Sequence, residues 1–148
     1  MHPRAAELIR TLRLQPHPEG GHYREIYRST ARVQRLADGA DRAALTTIYY
    51  LLTSGERSRW HRVQSDEVWH FYEGAALRLK SSPDLQEINS HILGTAGSRA
   101  VPVHVIPAGM WQSAVPLGAY VLVGCTVGPG FDFTDFEMLP DDSPASTL

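Results

Sequence analysis

The chain has 148 residues, 43% of them hydrophobic and 20% charged, with a formal net charge of -2. That length gives one domain with a core large enough to need no staples, and the apolar fraction at low net charge excludes wholesale disorder. The lone cysteine, Cys125, excludes an internal disulfide, the charge balance argues against nucleic acid, and no apolar run approaches the roughly 18 residues of a membrane span.

The N-terminus has no basic segment followed by an apolar run, so the expected setting is cytoplasmic. Ala5, Leu8, Ile9 and Leu12 recur at helical spacing, and Pro3 suits a first turn, so a short helix is expected there. Pro16 and Pro18 stop it. Short strands cut by turn residues then follow: His22–Thr30, Ala44–Leu52, Trp60–Val63, Glu67–Glu73, Ala76–Ser81, Glu87–Leu93, Val103–Ile106, Trp111–Ala114, Tyr120–Val127 and Phe136–Leu139. Asp38-Gly39 reads as a hairpin turn. Many short strands without βαβ alternation predict a sandwich or barrel rather than a parallel doubly wound sheet. Residues 1–139 read as the single domain, and the polar, Pro-containing stretch 140–148 reads as a frayed tail.

The chemistry-bearing residues cluster in the middle. GERSRWHRVQSDEVWHFYEG (residues 55–74) holds Gly55, His61, Glu67 and Gly74 at the spacing of G-x5-H-x-H-x3-E-x6-G, with Val63 at the second histidine. PAGMWQ (residues 107–112) matches P-x-G-x2-H with Gln112 at the histidine. Val101 and Pro116 stand where the second pattern has glycine and asparagine. The two patterns resemble the paired signatures of the cupin superfamily. Adding PHPEGGHYRE (16–25) and GCTVGPGFDFTDFE (124–137), the ordered set over residues 8–139 resembles the cupin family long labelled a domain of unknown function, the cupin 5 type.

The resemblance implies an all-β fold, a cupin double-stranded β-helix barrel (jelly roll) with a short N-terminal helix, usually paired as a homodimer. It brings no secure reaction, because fold does not imply function. In a strand, residues i and i+2 share a face, so an H-x-H pair aims two imidazoles into such a barrel, where a Glu and a third His complete a metal cage. Val63 ligates nothing and Gln112 offers a neutral amide oxygen. The remaining set, His61, Glu67 and Gln112, holds a divalent metal weakly or not at all.

Three readings of function follow. The leading one is a small-molecule enzyme of epimerase or isomerase type. His61 and Glu67 move protons on a carbonyl- or hydroxyl-bearing, sugar-like ligand bound in the barrel, and Gln112 orients it. The second is a metal-dependent oxygenase or isomerase on the sparse His61, Glu67, Gln112 set. The third is a non-catalytic ligand sensor. Expected partners are the small ligand and a second copy of the chain, with no nucleic acid and no membrane.

Several positions carry two readings. An inward Glu67 needs a partner, and His61 is the obvious one. Glu67 and His70 fall on opposite faces of one strand unless a bulge intervenes, so one of them lines the pocket. The Glu19-Gly20-Gly21 stretch is either a turn or a loop that brings Glu19 and Tyr23 to the barrel mouth, with Arg24, Glu25 or Arg28 near the ligand. Phe131 and the tryptophans read as core or rim. Cys125, between small apolar neighbours, reads as a buried inert thiol. Arg57, Arg59 and Arg62 form either an anion-binding cluster or a solvated face.

Overall fold

The computed structural model describes residues 1–148. Helix α1 (Pro3–Leu12) opens on His2, whose ring nitrogen accepts from the Arg4 N–H, and closes on Arg13 in the left-handed conformation. Thirteen strands follow: β1 (Gln15–Pro16), β2 (His22–Arg28), β3 (Arg32–Gln34), β4 (Asp41–Ala43), β5 (Thr46–Thr53), β6 (Ser58–Arg62), β7 (Asp66–Gly74), β8 (Leu77–Ser82), β9 (Asn89–Leu93), β10 (Val103–Ile106), β11 (Trp111–Pro116), β12 (Tyr120–Gly128) and β13 (Glu137–Met138). Ten of these overlap the strands expected from the sequence. The β3–β4 hairpin was expected only as its turn, where Gly39 takes a φ of 72°. Its strands are three residues each, too short to show alternation.

Two antiparallel sheets face each other. One has the order β1-β2-β5-β12-β7-β10, the other β13-β6-β11-β8-β9. From β5 onward the chain crosses repeatedly between the sheets, so strands adjacent in sequence lie mostly in opposite layers, as in a jelly roll. Alternation then sends every second side chain between the layers. Tyr50, Leu52, Trp69, Leu77, Leu79, Leu93, Val121 and Val123 form that core. Helix α1 lies outside the six-stranded sheet. Its Ala5 and Leu8 pack with Leu14 on Leu51 and Leu122, which point away from the core.

One end of the sandwich is filled by these side chains; the other, where β2, β5, β7 and β12 carry Tyr23, Thr46, Glu67 and Val127, stays open. The stretch 140–148 differs from the expected frayed tail. It makes a 3-10 turn at Pro144–Thr147 with Ser146 buried, and the Trp60 indole donates to the Leu148 carbonyl at 3.3 Å. Trp60, on the outer face of β6, is 2% exposed. A large outward aromatic gives a polar segment something to cover.

Candidate functional site

A cavity of about 600 Å³ occupies the open end of the sandwich. That size suits a small organic ligand. Its floor holds Glu19, His61 and Glu67; one wall is aromatic, with Phe131, Phe133 and Phe136. Tyr23, Arg24 and Glu25 also line it. Of the residues singled out from the sequence, the structure thus brings His61, Glu67, Glu19, Tyr23, Arg24 and Glu25 around one space. Gln112 and His70 are not among its lining residues.

Glu67 faces in because β7 pairs it with Val127 and Ile106, both turned into the barrel. His70 then falls on the outer face, opposite Gly124 and Val103. The bulge in this strand comes later, where Glu73 pairs with Leu122 but Phe71 pairs with Val123, so it does not bring His70 round.

Glu19 arrives by a loop that only glycine allows. Gly20 has a φ of 111°, and a Cβ there would run into the Arg57 carbonyl oxygen; at Gly21 (φ 76°) it would come within 2.6 Å of the Leu51 carbonyl oxygen. The Tyr50 hydroxyl donates to the Gly20 carbonyl and the Arg59 N–H to the Glu19 carbonyl, at 2.8 Å. This close approach drives the Glu19 carboxylate under β6, where it is buried.

The hydrogen bonds of His61 fix its proton inventory. Nδ1 lies 2.7 Å from the Arg59 carbonyl oxygen, which only accepts, so Nδ1 carries a hydrogen and donates it. The neutral ring is then bare at Nε2, which sits 3.0 Å from Oε2 of Glu19. Two acceptors at that distance require a proton between them. The Glu19–His61 pair therefore holds one shared proton. Burial pushes the Glu19 carboxyl up and the His61 imidazole down, so the uncharged pair is favoured.

Glu67 is held differently. Trp69 Nε1–H donates to Oε1 of Gln112 at 2.9 Å. An indole N–H only donates, so it turns the amide oxygen toward itself and leaves the NH2 to donate to Oε1 of Glu67, at 2.7 Å. Burial, opposed by His61 nearby, pushes the Glu67 carboxyl up to about 7. Gln112 is fully buried and orients Glu67, not a ligand. Cys125 lines the cavity near Glu67, and burial pushes its thiol up, in keeping with an inert sulfur.

These donors do not fit a metal cage. The Gln112 oxygen is spent on Trp69, and both His61 nitrogens are engaged. Val63 fills the position where a second imidazole would enter. No group of three or more His, Cys, Asp or Glu side chains is arranged to hold a metal ion.

Two sets of lining residues escaped the sequence reading. His17 packs edge-on against Tyr23 at 4.4 Å, and its Nδ1 accepts the Glu19 N–H at 3.1 Å, bracing the carboxylate loop. Burial lowers its pKa. It lies in a loop, where no periodicity marks facing. The second set is Phe133 and Phe136, which complete the phenylalanine wall beside Phe131, expected in core or rim. Phe136 stacks on His61 with centroids 5.4 Å apart, and Phe131 packs edge-on against Phe133 at 4.8 Å. The F-x-F-x-x-F spacing of residues 131–136 was its only signal.

That wall is tied down from outside. Asp135 accepts from Arg35 and Arg42, each at 2.9 Å, and both Asp135 and Arg35 are 8% exposed. The two arginines frame the β3–β4 hairpin, so hairpin and wall form one unit. At the mouth, Arg28 is spent on Glu25 at 2.7 Å and on the Phe131 carbonyl, whereas Arg24 has no carboxylate partner.

Comparison with known proteins agrees with this geometry. The chain superposes on a hypothetical protein from Leishmania major with a TM-score of 0.86 and 31% identity, covering 97% of this chain and 96% of the other. It matches a Shewanella oneidensis protein at a TM-score of 0.84 and 35% identity, covering 93% and 85%. Oxalate decarboxylase from Bacillus subtilis shares the fold at 16% identity and a TM-score of 0.62, with 87% of this chain over 31% of that one. No curated protein matches the chain. The family model described as Cupin superfamily (DUF985) matches residues 6–139. The chain, an all-β jelly roll with a short N-terminal helix, belongs to that cupin family.

Proposed function

We propose that the protein is a small-molecule enzyme of epimerase or isomerase type, acting on a carbonyl- or hydroxyl-bearing, sugar-like ligand by proton transfer. The observation that carries this reading is the cavity floor, where a carboxyl that titrates near 7 faces a pair holding one mobile proton. A group with its pKa near the working pH serves as base in one direction and acid in the other. Glu67, as carboxylate, removes the proton from the carbon next to a carbonyl. The proton shared by Glu19 and His61 goes to the carbonyl oxygen. Glu67 then delivers its proton to the neighbouring carbon while the pair recovers one from that carbon's hydroxyl, which gives the isomer; for the epimer the pair instead delivers its proton to the opposite face of the same carbon. The phenylalanine wall lowers the local dielectric and excludes water from the intermediate. Gln112 holds one Glu67 oxygen and so sets which one is free to react.

The reading includes assembly with a second copy. On the outer face of the six-stranded sheet, Val103 and Val105 pair with His70 and Val68, and Val101, Val103, Val105 and Tyr72 are each about half exposed. An apolar edge of that kind is normally covered.

The test is solvent exchange. The protein is incubated in D2O with a panel of keto-sugars and α-hydroxycarbonyl compounds, and carbon-bound deuterium is read by mass spectrometry. Exchange next to the carbonyl is expected for some member, with the rate down at least about 100-fold in Glu67→Gln and His61→Ala. Exchange at the full rate in both variants overturns the assignment. Tight binding without exchange or product overturns the enzyme reading in favour of a binding module.

A further inference from the structure

The five-stranded sheet carries a second concavity on its outer face, on the far side of β6 from the cavity. Arg78 and Lys80, the chain's one lysine, alternate along β8 with the core residues Leu77 and Leu79 and so point outward together. Arg57 and Arg59 approach from the start of β6, across β11. Strand spacing sets the four cations over an area about 7 Å along the strands and about 10 Å across them.

The charges are left largely uncompensated. Arg59 meets Asp141 at 2.8 Å, but Asp141 is 75% exposed, so solvent screens the pair and it offsets the Arg59 charge only in part. The one side-chain partner of Arg78 is the Ser90 hydroxyl. Arg57 and Lys80 have no carboxylate partner. All this occurs in a protein of net charge -2.

The cleft is occupied by the chain itself. Segment 140–148 crosses it, held by the Asp141–Arg59 pair and the Trp60 indole on the Leu148 carbonyl. Only about 40 Å³ remains beneath the segment, room for about one water. An anion reaching all four cations has to displace the segment, so the two compete.

We propose that this cleft is a second ligand site, specific for a compact, multiply charged phosphate-type anion, with segment 140–148 as its competitor. A single carboxylate such as Asp141 satisfies one cation of four. Two linked phosphate groups span the patch and meet arginine forks and the lysine ammonium together. The site is independent of the catalytic reading, because Arg57, Arg78 and Lys80 lie outside the cavity.

The test is calorimetric titration of the full chain with inorganic pyrophosphate at fixed ionic strength. One binding event per chain is expected. Asp141→Asn, which weakens the competitor, binds at least threefold more tightly. Arg78→Ala with Lys80→Ala binds at least tenfold more weakly at an unchanged melting temperature. Glu67→Gln binds as the parent does, which separates this site from the cavity. Absence of binding, unchanged affinity in Asp141→Asn, or parental affinity in the double variant overturns the proposal.

Discussion

His61 has both ring nitrogens engaged before any ligand arrives, and that turns a familiar motif position into half of a proton-sharing pair. Glu67 gains its character from burial, and the consequence for stability has a definite sign. Its pKa in the folded chain, about 7, lies above the ordinary 4.5. Between those values the folded state binds more protons than the unfolded one, so stability falls as pH rises through that window. Glu67→Gln keeps the Gln112 hydrogen bond and removes the ionisation. It is expected to flatten the pH dependence of urea unfolding between pH 5 and 7 and to gain on the order of 3 kcal/mol at pH 8 as an upper bound. An unchanged slope contradicts the shift. Gly20 is the other decisive residue. Gly20→Ala meets the Arg57 carbonyl oxygen in a backbone region that alanine avoids, and is expected to cost at least about 2 kcal/mol by denaturant unfolding.

Among the elements, the phenylalanine wall depends on a charge network distant in sequence. Removing Asp135 leaves Arg35 buried without its deepest partner. Asp135→Ala is expected to cost about 3 kcal/mol and to speed amide hydrogen exchange in residues 131–138. Two arginine partners hold the Asp135 carboxyl at about 2, below its ordinary 3.8, so its contribution is present above the ordinary value and is lost as pH falls through about 2. Element order was legible because alternation and turn residues are local. Val103–Ile106 was bounded correctly, and helix α1 announced itself through Ala5, Leu8 and Leu12. Gln112 was misjudged as a ligand-facing residue because its role is set by the Trp69 indole, 43 residues away, and no local pattern reports such a partner. The Arg35–Asp135 tie, 100 residues apart, was missed for the same reason, and His17 because a loop carries no periodicity to mark its facing. Glu19 was legible as either a turn residue or a pocket residue, and the carbonyls of Arg57 and Leu51 place it by demanding glycine beside it.

Over the whole molecule, the exposed valines of β10 and Tyr72 of β7 form an apolar patch, the face proposed to meet a second copy. Val103→Glu with Val105→Glu is expected to convert a dimer into a monomer by light scattering, with the fold intact by circular dichroism, because both side chains point away from the core. A wild-type monomer at micromolar concentration contradicts that assembly. The cations of the five-stranded sheet lie on the other layer, beneath residues 140–148. No helix is long and apolar enough to cross a membrane.

Inside the barrel a carboxyl poised near neutrality confronts a one-proton Glu19–His61 pair. Carbon-13 NMR of the Glu67 side-chain carboxyl as a function of pH tests it most directly, with Glu67→Gln supplying the assignment. A midpoint of about 7 is expected. A midpoint at the ordinary 4.5 would contradict it.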